Sequence, residues 1–126
     1  MNSVKLGYPL IRVVLLVAVM ASLAGCWQRD TARSYYPSGK IKTEAQIRDG
    51  VLNGSAVMYY ENGNKMSEAS YQGGMLDGQS VAYYEDGKIK ARAGYKNGLL
   101  HGESMNYDPS GRLISQAEFH LGTLQQ

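Results

Sequence analysis

Covalent cross-links are the first feature that this sequence lacks, because it holds a single cysteine, Cys26, in 126 residues. One cysteine excludes any disulfide within the chain. There are only two histidines, His101 and His120, and no spacing of His, Cys and carboxylate residues suits zinc. No serine lies in a Gly-x-Ser-x-Gly elbow, and an enzyme needs titratable groups that converge. The sequence therefore predicts no metal centre, no cofactor and no catalytic residue.

A long apolar run is missing as well. Residues 13–23 form an apolar run of 11 residues, whereas a membrane-spanning helix needs about 20. Lys5 and Arg12 precede this run, and small residues follow it. A positive start, a short apolar run and small residues are typical of a secretory signal. We expect a helical signal peptide over residues 1–25.

The run ends in Leu23-Ala24-Gly25-Cys26, which resembles the lipobox of bacterial lipoproteins at all four positions. The resemblance implies cleavage between Gly25 and Cys26 and lipidation of the Cys26 sulfur by acyl chains such as palmitate. Two or more acyl chains anchor a protein stably to a membrane where one does not. The alternatives are a signal anchor and a plain signal peptide with an incidental cysteine.

The residue after Cys26 is Trp27, not the Asp that retains lipoproteins in the inner membrane of Gram-negative cells. The resemblance therefore implies an outer-membrane protein that faces the periplasm. In a Gram-positive cell the same signal implies the outer face of the plasma membrane.

An excess of charge of one sign is also absent once the signal peptide is removed. The chain has 13 basic and 11 acidic residues, and Lys5 and Arg12 belong to the signal peptide. The remainder carries 11 basic residues (13 less 2) against 11 acidic ones. No net positive field is left to attract nucleic acid, so we expect no nucleic-acid partner.

What the sequence does have is a period of 24 residues. Tyrosines, glycines, alanines, bulky apolar residues and leucines each recur four times at this step. The columns are Tyr35, Tyr59, Tyr83 and Tyr107; Gly39, Gly63, Gly87 and Gly111; Ala45, Ala69, Ala93 and Ala117; Ile47, Tyr71, Tyr95 and Phe119; Gly50, Gly74, Gly98 and Gly122; and Leu52, Leu76, Leu100 and Leu124. A fixed period of this size is typical of repeat architectures. We expect a repeat domain over residues 35–126, joined to the lipidated cysteine by a linker over 26–34.

Each copy has the pattern of two strands. Apolar and polar residues alternate over 40–47, 64–71, 88–95 and 112–119, and again over 55–60, 79–84 and 103–107. Asn62-Gly63 and Asp86-Gly87 are strong hairpin signals, and glycine-bracketed segments at 49–54, 73–78 and 97–102 are interpreted as the other connections. The sequence predicts an all-β fold, an open antiparallel meander of stacked β-hairpins. The fourth copy is expected to end before its second strand.

The copies share the elements Tyr-Tyr-x-x-Gly-Lys and Tyr-x-x-Gly-x-Leu-x-Gly, as seen in Tyr83–Lys88 and Tyr95–Gly102. This consensus resembles the variant MORN repeat of bacterial proteins of the YwqK type, which are often labelled antitoxin components. The resemblance covers residues 35–126. It implies stacked hairpins with a binding or scaffolding role, and it implies no catalytic residues.

Two sets of side chains are candidates for contact with a protein partner. The first is a row of tyrosines expected to be exposed: Tyr36, Tyr60 and Tyr84. The second is a set of cations that alternate along one strand: Lys88, Lys90 and Arg92. These cations fit either a basic stripe for lipid head groups or an acidic partner, or a solvated face that discourages edge pairing. The open sheet edges at Tyr35 and at 114–119 also allow pairing with another chain.

Together these features predict a non-enzymatic, membrane-anchored lipoprotein that presents a β-repeat surface for protein–protein interaction in the cell envelope. Two alternatives stay open. One is an antitoxin-like or immunity-like inhibitor, and the other is a module that binds peptidoglycan or envelope lipid.

Overall fold

The computed structural model describes residues 29–126, so the predicted signal peptide, its cleavage site and Cys26 lie outside the described residues. Every regular element in this range is a β-strand. The strands are β1 (Arg29–Tyr35), β2 (Ile41–Arg48), β3 (Val51–Tyr59), β4 (Lys65–Gln72), β5 (Met75–Tyr83), β6 (Ile89–Lys96), β7 (Leu99–Tyr107), β8 (Leu113–His120) and β9 (Thr123–Leu124). Over residues 29–126, no helix has the length and apolarity needed to cross a membrane.

The nine strands form one sheet in chain order, from β1 at one edge to β9 at the other. Each strand pairs antiparallel with the next one along the chain. Connections this short can join only antiparallel neighbours, because a parallel pair needs a crossover of a dozen or more residues. The predicted all-β fold and open antiparallel meander are confirmed.

The first kind of connection is a two-residue turn, shorter than predicted. Asp49 and Gly50 join β2 to β3 with φ angles of 52° and 77°, the positive values of a type I′ turn. The predicted six-residue connections are wrong, because their last four residues already belong to the next strand. Their second glycines, such as Gly54 with a φ of 121°, lie where the strand register shifts, as in a β-bulge.

The second kind of connection has three residues between the paired ends. The Tyr60 N–H donates to the Asn64 carbonyl at 2.8 Å, and the Gly63 N–H donates to the Tyr60 carbonyl at 2.9 Å. Within this loop only Gly63 has a positive φ, 91°. Asn62-Gly63 therefore marks a hairpin, as predicted, in the three-residue form that ends in a glycine bulge.

The predicted linker over residues 26–34 is wrong from Arg29 onward. Residues 29–35 form β1, which pairs with β2 along its whole length. The sequence of β1, RDTARSY, is mostly polar on both faces, so no alternation of apolar and polar residues revealed the strand. At the other end, Thr123–Leu124 form the short β9, so the last copy has the start of a second strand.

The register places two rows of side chains across the sheet, on opposite faces because neighbouring residues of a strand point to opposite sides. The charged row is Arg33, Glu44, Val57, Glu68, Val81, Arg92, Met105 and Gln116. The small row is Ala32, Ala45, Ala56, Ala69, Ser80, Ala93, Ser104 and Ala117. Among residues 29–126 only the apolar side chain of Met105 is buried, with 9% of its surface exposed. The domain is therefore a single layer, stabilised along the sheet and not between layers.

Hydrogen bonds between consecutive copies give the 24-residue period its structural meaning. Tyrosine hydroxyls donate to backbone carbonyls of the next copy: Tyr36 to Tyr59, Tyr60 to Tyr83 and Tyr84 to Tyr107. Turn glycines donate to leucine carbonyls of the copy before: Gly74 to Leu52, Gly98 to Leu76 and Gly122 to Leu100. Each such bond contributes about 0.5–1.5 kcal/mol. Two sets of hydrogen bonds that recur every 24 residues therefore join the copies.

Candidate functional site

The tyrosines predicted to form an exposed row are half-buried, so the prediction that they are exposed is wrong. The hydroxyls of Tyr36, Tyr60 and Tyr84 lie 2.7, 2.8 and 2.8 Å from the carbonyl oxygens that accept their hydrogen bonds. Part of each ring stays accessible. Lys42 Nζ lies 5.6 Å from the Tyr36 ring centre, and Lys90 Nζ lies 5.7 Å from that of Tyr84, within the range of cation–π attraction.

The predicted basic stripe is divided among different contacts. Lys88 Nζ donates to the Pro109 carbonyl at 3.1 Å and lies 3.5 Å from Asp86 Oδ2. Lys90 faces the Tyr84 ring and is exposed, whereas Arg92 is half-buried. The three cations are therefore not one continuous strip, and each has a role within the domain.

A polar cluster lies at the centre of the charged row. Lys65 Nζ is 2.6 Å from Glu68 Oε2, and the Tyr83 hydroxyl donates to Glu68 Oε1. The hydrogen bonds from Lys65 and then Tyr83 hold the pKa of Glu68 below its ordinary value, against the opposing effect of burial. The hydrogen bond between Tyr83 and Glu68 raises the pKa of Tyr83, with burial as the second cause. Glu68 is therefore a fixed negative charge, not a base with a pKa near neutral pH.

Arg92 and Tyr107 converge on the sulfur of Met105. The guanidinium Nε and Nη2 lie 3.3 and 3.1 Å from Sδ, and the Tyr107 hydroxyl lies 3.2 Å from it. A thioether is only a weak acceptor. Among residues 29–126 no carboxylate is within ion-pair distance of Arg92. Arg92 is thus a half-buried cation whose charge is not neutralised within the described part of the chain.

A shallow groove of about 380 Å³ opens beside Arg92. Gln79, His101 and Glu103 also line it, and so does Gly94, which contributes no side chain. A Cβ at Gly94 would lie 2.2 Å from the His101 carbonyl oxygen, so only glycine fits this approach of two backbones. The same column holds side chains in the other copies: Gln46, Ser70 and Glu118. Among the four copies, the third alone has glycine at this position.

The sequence analysis missed a pair of histidines beside this groove. His101 on β7 and His120 on β8 have ring centres 5.0 Å apart and planes tilted by 58°. They meet because the antiparallel register pairs Gly102 with Phe119. The positions of β7, β8 and the turn between them are enough to predict this pairing. Nδ1 of His101 is buried and has no hydrogen-bond partner among the described residues. Residues 29–126 contain no group of three or more His, Cys, Asp or Glu arranged to hold a metal ion.

Comparison with known proteins identifies the repeats. Residues 31–49, 52–72, 76–97 and 100–120 each match the family described as MORN repeat variant. The four stretches together cover more than half of the chain. They correspond to the strand pairs β1–β2, β3–β4, β5–β6 and β7–β8, so a repeat is a hairpin with a three-residue loop. No curated protein matches the sequence.

Proposed function

Because the chain belongs to the MORN repeat variant family, whose repeats often mediate protein or membrane interactions, we propose that it is a non-enzymatic, membrane-anchored lipoprotein. In this proposal the repeat sheet is presented to a protein partner in the cell envelope. The observation that carries the proposal is the single-layer sheet, in which only Met105 among residues 29–126 is a buried apolar residue. Small substrates are usually held in concave pockets, so an open sheet suits a large partner better.

The anchor in this proposal is Cys26, supported by the lipobox resemblance of Leu23-Ala24-Gly25-Cys26. Strand β1 begins at Arg29, so three residue steps separate it from Cys26 and their maximum reach is roughly 10 Å at about 3.3 Å per residue. The sheet therefore starts at the membrane surface. Trp27 in place of Asp supports the outer membrane and its periplasmic face, or the outer face of the plasma membrane in a Gram-positive cell.

The main contact site in this proposal is the groove beside Gly94. Arg92 supplies a cation without a carboxylate partner in the described chain, and His101 and Glu103 supply further polar groups at its rim. A partly desolvated arginine is a frequent centre of protein interfaces. A carboxylate or amide group of a partner fits Arg92.

A second contact area is the row of tyrosine rings with its exposed lysines. The rings of Tyr36, Tyr60 and Tyr84 are half-buried, whereas Lys42 and Lys90, which face the Tyr36 and Tyr84 rings, are exposed, as is Lys88. The hydroxyls are already used between repeats. A partner therefore contacts the ring faces and the lysines, not the hydroxyls.

Crosslinking and pull-down from envelope fractions with the full lipidated chain test the proposal. Arg92→Gln is expected to lose the specific partner, because it removes the unpaired charge from the groove. Tyr60→Phe keeps the ring and should keep the partner, whereas Tyr60→Ala removes the ring and should weaken capture. A partner retained at full yield by both Arg92→Gln and Tyr60→Ala contradicts both contact sites.

Two other outcomes identify the alternative functions. Retention of the chain on purified sacculi, with no protein partner, indicates peptidoglycan binding. A toxin gene directly upstream, with neutralisation of its product by this chain, indicates an immunity-like inhibitor.

The anchor is tested separately by labelling cells with palmitate. The parent chain is expected to carry label and to fractionate with membranes, whereas Cys26→Ser is expected to lose both. Label retained on Cys26→Ser contradicts lipidation at this residue.

A further inference from the structure

We infer that copies of this chain associate head to tail, with β1 of one molecule pairing along β8 of the next. The register is the one that joins consecutive repeats within a molecule. This inference goes beyond the proposed function, because presenting a surface to another protein does not require self-association. Its basis is that the two ends of the sheet are the two halves of an interface that the chain already forms three times.

The three internal interfaces are alike. They join β2 to β3, β4 to β5 and β6 to β7, and each has three consecutive ladder pairs before the register shifts. The pairs are Thr43–Met58, Glu44–Val57 and Ala45–Ala56 in the first; Ser67–Ala82, Glu68–Val81 and Ala69–Ser80 in the second; and Ala91–Asn106, Arg92–Met105 and Ala93–Ser104 in the third. One further step of 24 residues aligns β8 with the start of a new repeat, and β1 is the strand that starts a repeat. The pairs between two molecules are then Ser115–Ser34, Gln116–Arg33 and Ala117–Ala32.

Both halves of this interface are unoccupied within residues 29–126. β1 pairs on one side only, with β2, and all seven of its residues are exposed. β9 pairs with the outer side of β8 at Phe119 and His120, and the Gln125 N–H donates to the Glu118 carbonyl at 2.8 Å. Residues 113–117 therefore present a free edge within the described part of the chain. Unpaired N–H and C=O groups along an edge are a template for another strand.

The exposure of apolar residues is greatest at these same ends. Among the large apolar residues of 29–126, Ile114, Tyr35 and Leu124 are the most exposed, at 65%, 58% and 57%. The residues equivalent to Tyr35 in the middle of the sheet, Tyr59, Tyr83 and Tyr107, are half-buried. Tyr35 therefore has the exposure of a residue whose neighbouring repeat is missing.

The side chains that would meet are compatible. In the small row, Ala117 opposite Ala32 repeats the alanine and serine pairs already present. In the charged row, Arg33 of the next molecule lies opposite Gln116. The Gln116 side-chain amide donates a hydrogen bond to Glu103 Oε1 of its own molecule at 3.1 Å. Glu103 lies directly opposite Glu118 on the neighbouring strand, and two carboxylates in that position repel each other. Arg33 of the next molecule, which forms an ion pair with its own Glu44 at 2.9 Å, brings a cation beside them.

The symmetry of this contact has a consequence for assembly. The two surfaces differ, one from β1 and one from β8, so the contact is heterologous and each molecule keeps one free end. Such contacts give rings when the rotation closes and open chains when it does not. Three ladder pairs make a small interface, so we expect weak association that depends strongly on concentration.

Cysteine crosslinking tests the register. The full chain with Cys26→Ser, purified in detergent, carries either Ala32→Cys or Ala117→Cys, with different tags. Directly opposite residues of an antiparallel pair lie about 4.5–5.5 Å apart at Cα, which a disulfide can bridge. Mixing the two variants is expected to give a crosslinked heterodimer, and Ala32→Cys with Ser115→Cys, two residues out of register, is the matched control. Crosslinking of Ala32→Cys with itself, or equal crosslinking in the control, overturns the inference.

Sedimentation of the Cys26→Ser chain tests whether the association occurs in solution. Gln116→Arg places a second positive charge opposite Arg33 of the next molecule. The new arginine still has Glu103 as a partner within its own molecule. It is expected to weaken association roughly two- to fivefold, with an unchanged circular dichroism spectrum. Gln116→Ser, which adds no charge, is the control. A parent chain that stays monomeric at every concentration, or a Gln116→Arg variant that associates as tightly as Gln116→Ser, overturns the inference.

Discussion

The middle of the sheet and its two ends are made from the same repeat, yet they differ in burial. Met105, 9% exposed, lies in β7, with a strand paired on each side. Every residue of the edge strand β1 is exposed. Tyr35 is 58% exposed, whereas Tyr83 in the same column is half-buried. Because Tyr35 and Tyr83 are the same residue in the same column and differ in their neighbours, the burial of this column comes from the adjacent repeat, as in arrays whose stability depends on nearest-neighbour interfaces.

The largest expected effect comes from truncating the buried side chain of Met105. Met105→Ala should lower the free energy of unfolding by about 2–4 kcal/mol, because it deletes a buried side chain in a single-layer sheet that cannot collapse around the cavity. Ile114→Ala, at the end and 65% exposed, is the matched control and should change it by less than about 0.5 kcal/mol. Urea unfolding measures both. Equal effects at the two positions would contradict the comparison.

The close approach at Gly94 is the next test. Gly94→Ala should destabilise the domain by roughly 1–3 kcal/mol, because its Cβ would lie 2.2 Å from the backbone oxygen of His101 and the strands must move apart. Ser70→Ala is the control, since the equivalent position of the second repeat already carries a Cβ. A thermal melt of Gly94→Ala that matches the parent would show that the strands separate without cost.

The turn at the end of the sheet offers a stabilising change. Leu121 has a φ of 46°, a left-handed conformation that costs a residue with Cβ about 1–2 kcal/mol and that Asn tolerates better. Leu121→Asn should therefore raise the free energy of unfolding by up to about 1 kcal/mol. The reverse change in a middle turn, Asn97→Leu at a φ of 50°, should lower it. The two changes measured by thermal melts should have opposite signs, and a shared sign is incompatible with this explanation.

The smallest expected effect concerns the Glu68 cluster and depends on pH. The pKa of Glu68 is lowered in the folded protein, so its contribution is present above its ordinary value of 4.5 and is lost as pH falls through the folded-state pKa. The pKa of Tyr83 is raised, so its contribution is present below 10.0 and is lost as pH rises through the folded-state pKa. Glu68→Gln should cost less than about 1 kcal/mol at neutral pH, because the cluster is largely solvent-accessible.

That prediction is checked by urea unfolding of the parent and Glu68→Gln across the acid range. The difference between them should shrink as pH falls below 4.5. Glu44→Gln, which removes one ion pair with Arg33 near the end of the sheet, is the control for a single exposed contact. A difference that grows in acid would mean that the cluster destabilises the fold.

The sequence predicted the fold because its main signals are local and repeated. Alternation predicted the strands, and Asn62-Gly63 predicted a hairpin, since each signal acts within a few residues. The strand starts were missed because Gly54 and its equivalents look like loop residues. In the structure they lie in bulges inside strands, with positive φ, and only the cross-strand register shows this.

The candidate site was less predictable because it depends on distances between strands. His101 and His120 are far apart along the chain and meet only through the register of β7 and β8. The sequence predicts an exposed row at Tyr36, Tyr60 and Tyr84, but each hydroxyl donates a hydrogen bond to the following copy. The sequence predicts a linker where β1 lies, because an edge strand of polar residues has the composition of a loop.

Amide hydrogen exchange followed residue by residue tests the central claim most directly, at a concentration where the chain is monomeric. If burial and stability come from neighbouring repeats, protection should be highest in β2–β7, which are paired on both sides, and should fall toward β1, β8 and β9, following the number of paired neighbours and not the sequence of each strand. Protection that is uniform along the sheet, or highest at β1, would contradict the account.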